Sequence, residues 1–244
     1  MESTRLGPST RIEAAAKEIS LPASRRPAYL PRRAEPLVRR ALNQHRVVAV
    51  IGARQVGKTT LVRRVCEATG GTYVDLEEPG VLEAVELDPT ALFQGKRPIV
   101  IDEFQQGGDA LLRAVKRWVD QRKSPGQVLL TGSTRFTTVP MISESLAGRV
   151  VLLDLWPLSQ GELRQASDGF VPAVFGAASR LKAFAAPSLT RMDVYRMLCA
   201  GGFPAVVRLS GPARQDWYES YIRTITQRDI STFSRVQDLD ALQR

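Results

Sequence analysis

Val47-Val-Ala-Val-Ile51-Gly52-Ala-Arg-Gln-Val-Gly57-Lys58-Thr59-Thr60 is the stretch that decides the fold. Gly52, Gly57, Lys58 and Thr59 fill the pattern G-x-x-x-x-G-K-[ST] of a phosphate-binding loop. Each residue type has a physical reason to be there. Glycines let the backbone wrap tightly, so that successive N–H groups aim at polyphosphate oxygens. Lys58 supplies positive charge near the β- and γ-phosphates, and Thr59 a hydroxyl for Mg²⁺. The expected nucleotide-binding set is Gly52, Arg54, Gln55, Val56, Gly57, Lys58, Thr59 and Thr60. For the Arg54 side chain, contact with phosphate and an outward orientation both stand open.

The flanks support the loop. Val47 to Ile51 is an apolar run of the kind a strand buried on both faces shows. Beyond the loop, Leu61, Val62 and Val65 share one helical face. A bound anion then sits on a helix N-terminus, where the dipole favours negative charge.

Further out, four more buried strands are expected, at residues 72–76, 98–102, 127–131 and 150–154. A helix after Pro36 is expected to turn Leu37, Val38, Ala41 and Leu42 inward. Another, over residues 110–121, sets Leu111, Leu112, Val115 and Val119 at helical spacing. Strands alternating with helices predict an α/β fold, a parallel sheet flanked by helices, with its ligand site at the strands' carboxyl ends. Residues 164–190 dissolve into Ala, Ser, Gly and Pro, a connecting segment. Helices over 193–200 and 214–230 follow, the second with Trp217, Tyr221, Ile222 and Ile225 on one stripe, and make a small helical subdomain.

The remaining chemistry falls at strand ends. Ile99-Val-Ile-Asp102-Glu103 is a hydrophobic strand closed by two carboxylates, the form of a Walker B motif. Asp102 is expected to hold Mg²⁺ and Glu103 to orient or deprotonate the attacking water. Ser133, in Leu-Leu-Thr-Gly-Ser, is read either as a contact to the water or γ-phosphate or as a turn former, with Thr131 the fallback. Arg149 follows a helical segment at 142–147 and Gly148. It is read either as a finger for a neighbouring subunit's γ-phosphate or as a surface salt bridge. His45 is the only histidine, which argues against histidine catalysis or a zinc site. Arg113, Lys116, Arg117, Arg122 and Lys123 are read as a basic helix face, solvated rather than a nucleic-acid track.

Composition sets the outer limits. The 244 residues hold one sizeable α/β domain with a small appendage. No apolar run approaches a membrane span, and residues 1–20 lack the apolar core of a signal peptide. With two cysteines, Cys66 and Cys199, and no metal-ligand spacing, reduced thiols in a cytoplasmic protein are expected. Of the net charge of +9, residues 1–40 carry +5. The first 28 residues are read as a disordered basic arm, with nucleic acid a candidate contact.

Taken in order, eight segments resemble one family. They are Tyr29-Leu-Pro-Arg32, Gly52 to Thr60, Ile101-Asp-Glu103, Leu129-Leu-Thr-Gly-Ser133, Ser145-Leu-Ala-Gly-Arg149, Pro157-Leu-Ser159 with Glu162, Gly201-Gly-Phe-Pro204, and Arg228-Asp-Ile230. The family is that of prokaryotic AAA+-type ATPases whose core precedes a C-terminal DUF4143 domain. The resemblance implies a five-stranded sheet in the order 5-1-4-3-2, Ser133 in the sensor-1 position and Arg149 in the finger position. A finger acting across subunits implies a homo-oligomer. A sensor-2 arginine is not assigned; Arg191, Arg196 and Arg223 are candidates.

The expected division is an arm over 1–28, an ATPase core over 29–163, a connector over 164–190, a lid-like subdomain over 191–235, and the start of a truncated C-terminal domain over 236–244. The function expected is Mg²⁺-dependent ATP binding and hydrolysis that drives or gates a partner. A nucleotide-dependent binding switch with little turnover, with nucleic acid a candidate target, and a truncated remnant without function are the alternatives.

Overall fold

The computed structural model describes residues 29–133, 135–166, 174–176 and 189–226. The basic arm, most of the connector, the Arg228-Asp-Ile230 segment and residues 236–244 lie outside the described residues. The chain divides into two compact units, Met1–Trp156 and Pro157–Arg244. The break falls before the short helix that ends at Arg164, rather than after residue 163.

The first unit is built in the order α1 (Ala34–Gln44), β1 (Val47–Ile51), α2 (Lys58–Thr69), β2 (Thr72–Asp75) and α3 (Pro79–Leu87). A 3₁₀ turn (Pro89–Gln94) leads to β3 (Ile99–Asp102), and a second one (Phe104–Gly107) to α4 (Gly108–Asp120). Then come β4 (Val128–Gly132), α5 (Arg135–Leu146) and β5 (Val150–Asp154). The strands form one sheet in the order β2-β3-β4-β1-β5, every pair parallel. This is the expected order.

Register explains why distant residues meet. Ile51 lies opposite Gly132 on β4, Ile101 on β3 opposite Leu130 on β4, and Asp75 on β2 opposite Asp102 on β3. The ends of β1, β3 and β4 are therefore level, and the residues just past them share one edge. β1, β3 and β4 are buried along their whole length. The core beneath draws Leu111, Leu112, Val115 and Val119 from α4, and Ile142 and Leu146 from α5.

Three expectations need correction. β5 is not buried on both faces: among the described residues it is an edge strand paired with β1 alone, and Leu152 is 41% exposed. Leu37 is 51% exposed, because Val38, Ala41 and Leu42 already fill the inner arc of α1. The 142–147 helix is the end of a longer one, which carries Pro140 inside it. Helix α3 was not anticipated.

The second unit contains α6 (Gln160–Arg164), α7 (Arg191–Ala200) and α8 (Gly211–Ile225). Ser159 and Glu162 close a reciprocal capping box, Glu162 Oε2 accepting from Ser159 N–H at 2.8 Å. Leu158 N–H donates to the Gly202 carbonyl at 2.7 Å, and a Cβ on Gly202 would lie 2.2 Å from the Leu158 oxygen. Phe203 packs on Trp217 and Tyr221, ring centroids 5.6 and 5.0 Å away. Two of the quoted segments, 157–162 and 201–204, are thus one packed joint. Ile222 is 56% exposed and does not share the inward stripe with Trp217 and Tyr221.

Candidate functional site

The loop after β1 is shaped by close approach. A Cβ on Gly52 would stand 2.4 Å from the Leu155 carbonyl oxygen, so the residue must be glycine. Gln55 (φ 60°) and Gly57 (φ 98°) turn the chain through the left-handed region, and α2 begins at Lys58. The free N–H groups of the first turn of α2 therefore open onto the loop. Lys58 is 4% exposed; its Nζ donates to the carbonyls of Gly52 and Ala53, each at 3.1 Å. Burial lowers its pKa, against the opposing pull of the Glu103 and Asp102 carboxylates.

The carboxylates stand beside it. Glu103 Oε1 is 3.9 Å from Lys58 Nζ, although 45 residues separate them in sequence. Glu103 sits in the left-handed region (φ 50°), a costly conformation for a side chain with a Cβ. Its N–H donates to Thr131 Oγ1 at 3.1 Å, and the Thr131 hydroxyl donates in turn to Asp102 Oδ1. Asp102 is 1% exposed. Ser133, 6% exposed, lies just past β4, within 3.4 Å of Gln105 Nε2. The structure therefore brings together the loop, Asp102, Glu103, Thr131 and Ser133. Thr131 serves the site by holding Asp102 and Glu103 in place.

Sequence reading gave no role to four further side chains. Tyr73 on β2 donates its hydroxyl to Asp102 Oδ2 at 2.6 Å, and burial beside that carboxylate raises its pKa. Arg63 lies over the Tyr73 ring at 4.5 Å and pairs with Asp75 at 3.4 Å. Gln105 Nε2 donates to Glu103 Oε2 and so links the Glu103 carboxylate to Ser133. Arg32, 7% exposed, donates to the carbonyls of Val56 and Trp156. Its only signal was its place in the Tyr29–Arg32 segment, which gave no role. Arg54 acts electrostatically within the site, offsetting a rise in the Glu77 pKa that comes from burial and from Glu103, Asp75 and Asp102.

Arg149 sits elsewhere. It precedes Val150, which pairs with Val47 at the amino edge of the sheet, the edge opposite the loop. Its Nε and NH2 donate to the two oxygens of Asp120 at 2.6 and 3.0 Å, and NH1 donates to the Ala147 carbonyl. Of its two readings, the ion pair is what this chain displays, and its own loop is out of reach.

The donor set suits Mg²⁺. Among the described residues no group of three or more His, Cys, Asp or Glu side chains is arranged to hold a metal. Thr59 and Asp102 offer hard oxygen donors only, few in number. Mg²⁺ is commonly held in this way, by one or two protein oxygens together with phosphates and water.

Residues 44–164 match the family model described as an AAA domain. Residues 191–244 match the one described as Domain of unknown function (DUF8612), in place of the DUF4143 start that the resemblance implied. Two mycobacterial relatives, uncharacterized protein Mb2031c of Mycobacterium bovis and uncharacterized protein Rv2008c of Mycobacterium tuberculosis, are each 32% identical over 222 residues. The alignment covers 89% of this chain and 44% of each relative, so the chain spans less than half their length. Among solved structures, the Walker-type ATPase PABY2304 of Pyrococcus abyssi aligns over 89% of this chain and 79% of its own. Its TM-score is 0.52 at 17% identity, a likeness of fold. No helix among the described residues is long and apolar enough to cross a membrane.

Proposed function

We propose that the AAA-type P-loop domain of this chain binds ATP with Mg²⁺ and hydrolyses it to ADP and phosphate. The observation that carries this reading is the meeting of Lys58, Asp102, Glu103 and Ser133 at one edge of the sheet, with Lys58 3.9 Å from Glu103.

The loop amides and Lys58 bind the β- and γ-phosphates, Lys58 exchanging its two backbone carbonyls for phosphate oxygens. Thr59 and Asp102 would hold Mg²⁺, which would supply positive charge against the phosphates. Glu103 accepts a proton from the attacking water, the new bond forms to the γ-phosphorus, and the bond to the β,γ-bridging oxygen breaks. Ser133 orients the water or the γ-phosphate, and Gln105 holds Glu103 and Ser133 in register. Arg149 is read as the finger for a neighbouring copy, which makes the isolated chain a slow hydrolase and a homo-oligomer the active form.

The held state of Glu103 and the pairing of Arg149 with Asp120 also favour the second reading, a nucleotide-dependent switch with little turnover. Contact with nucleic acid through residues 1–28, and any partner driven or gated, are further proposals of this kind.

Nucleotide titration and phosphate release decide between them, with the parent compared with Lys58→Ala and Glu103→Gln. ATPase function predicts that Lys58→Ala abolishes binding while Glu103→Gln binds ATP and fails to cleave it. Failure of the parent to bind either ATP or ADP sinks both readings. Binding without phosphate release, unchanged by protein concentration, leaves the switch.

A further inference from the structure

Arg32 lies upstream of the loop, yet it is tied to it. Its carbonyl accepts from Glu35 N–H at 3.1 Å, which fixes its position at the start of α1. From there NH1 reaches the carbonyl of Val56 at 2.9 Å, inside the phosphate-binding loop and 24 residues away. NH2 reaches the carbonyl of Trp156, the last residue of the first unit. A guanidinium is a rigid planar fork, so it holds these two carbonyls in one geometry.

The consequence follows from peptide planarity. In a trans peptide the C=O and the following N–H point in opposite directions. Holding the Val56 oxygen on Arg32 turns the Gly57 N–H the opposite way, away from the guanidinium. Gly57 is the residue that most needs this restraint, because its φ of 98° has no side chain to enforce it. The Val56 side chain is fully buried and pins the same peptide from its other end.

We propose that Arg32 is a positioning residue of the nucleotide site: it sets the Val56–Gly57 peptide so that the Gly57 amide faces the phosphates, and it braces that peptide against the chain at Trp156. The inference rests on the reading of the loop as a phosphate site, and its test separates the two.

The full chain and the variants Arg32→Lys and Arg32→Ala are compared in two ways. In the absence of nucleotide, amide exchange of residues 52–60 is followed. Exchange is expected to quicken in both variants while the β3 and β4 segments stay protected. Lysine is expected to retain part of the protection, since its ammonium can hold one carbonyl. Second, ADP and inorganic pyrophosphate are titrated at a temperature where every variant is folded. Affinity for both is expected to fall by a similar factor, roughly tenfold in Arg32→Lys and up to a hundredfold in Arg32→Ala. The equal loss places the defect at the phosphates.

Variants that melt earlier but bind ADP and pyrophosphate as tightly as the parent would make Arg32 a stability residue only and overturn the proposal. Should the parent bind neither ligand, the nucleotide reading fails, and the exchange arm decides alone. Unchanged exchange in the loop of both variants overturns the proposal, and quickened exchange confined to it upholds the brace.

Discussion

The two edges of the sheet carry ion pairs of similar composition in opposite surroundings. At the carboxyl edge Lys58 pairs with Glu103 at 3.9 Å; Lys58 and Asp102 are 4% and 1% exposed, and carbonyls and hydroxyls meet their polar atoms. At the amino edge Arg149 and Asp120 are 28% and 40% exposed in a bidentate pair, with Arg46 3.9 Å from the same carboxylate. The distances are short at both edges, so geometry alone does not distinguish them. Solvent does. A buried charge deprived of its partners costs several kcal/mol, whereas an exposed pair is screened and contributes little. The parts of the carboxyl edge depend on each other for stability, whereas the Arg149–Asp120 pair at the amino edge adds little to it.

The largest effect expected is at Asp102. Asp102→Ala strips the acceptor from both the Tyr73 and the Thr131 hydroxyls in a buried place. The nucleotide-free protein is expected to lose about 2–4 kcal/mol in denaturant unfolding, although a buried charge has been removed. A variant as stable as the parent would show that the carboxyl edge is not interlocked.

Tyr73→Phe sharpens the same point by deleting one bond. The cost expected is about 1–2 kcal/mol of stability. Under the proposed function the Mg²⁺ concentration for half-maximal phosphate release rises several-fold, because the Asp102 carboxylate is free to turn. A loss of stability with an unchanged Mg²⁺ dependence would make Tyr73 a packing residue only.

How much of this was readable in advance depends on how far apart the partners are in sequence. Strand β1, the loop and α2 were legible because their interactions are local: a glycine pattern, a strand run and a helical face within twenty residues of one another. Asp102, Glu103 and Ser133 were legible because a parallel sheet brings its strand ends to one edge. Tyr73, Gln105 and Arg32 were not. Which residue on β2 meets Asp102 depends on register, and neither composition nor periodicity encodes register between distant strands. The exposure of β5 is not legible in the strand's own residues, although the sheet order implied by the resemblance puts it at an edge. Val150 to Leu153 are as apolar as a central strand.

A pH series tests the burial of Lys58. Burial lowers its pKa in the folded chain below that of the unfolded chain, so in between the unfolded state binds more protons. The charged lysine therefore costs stability at neutral pH, and that cost lifts as pH rises through the folded value toward about 10.5. Compared with Lys58→Met, the parent is expected to gain in thermal midpoint between pH 7 and pH 10. A difference independent of pH would mean that Lys58 is solvated like a surface lysine.

The smallest effect is expected at Asp120. The Arg149 N–H groups hold its carboxyl below the usual carboxylate range, which shows that the pair forms but not that it matters. Asp120→Asn keeps the shape and removes the charge, and the exposed pair predicts a thermal midpoint within about one or two degrees of the parent. What the change can alter is the freedom of Arg149. If that arginine serves a neighbouring copy, releasing it from Asp120 leaves ADP affinity untouched and speeds phosphate release at protein concentrations high enough for copies to meet. Parental rates at every concentration would leave Arg149 as the surface pair it makes in this chain. A fall in ADP affinity would contradict the separation of the two edges, because Arg149 and Asp120 pair at the edge opposite the loop.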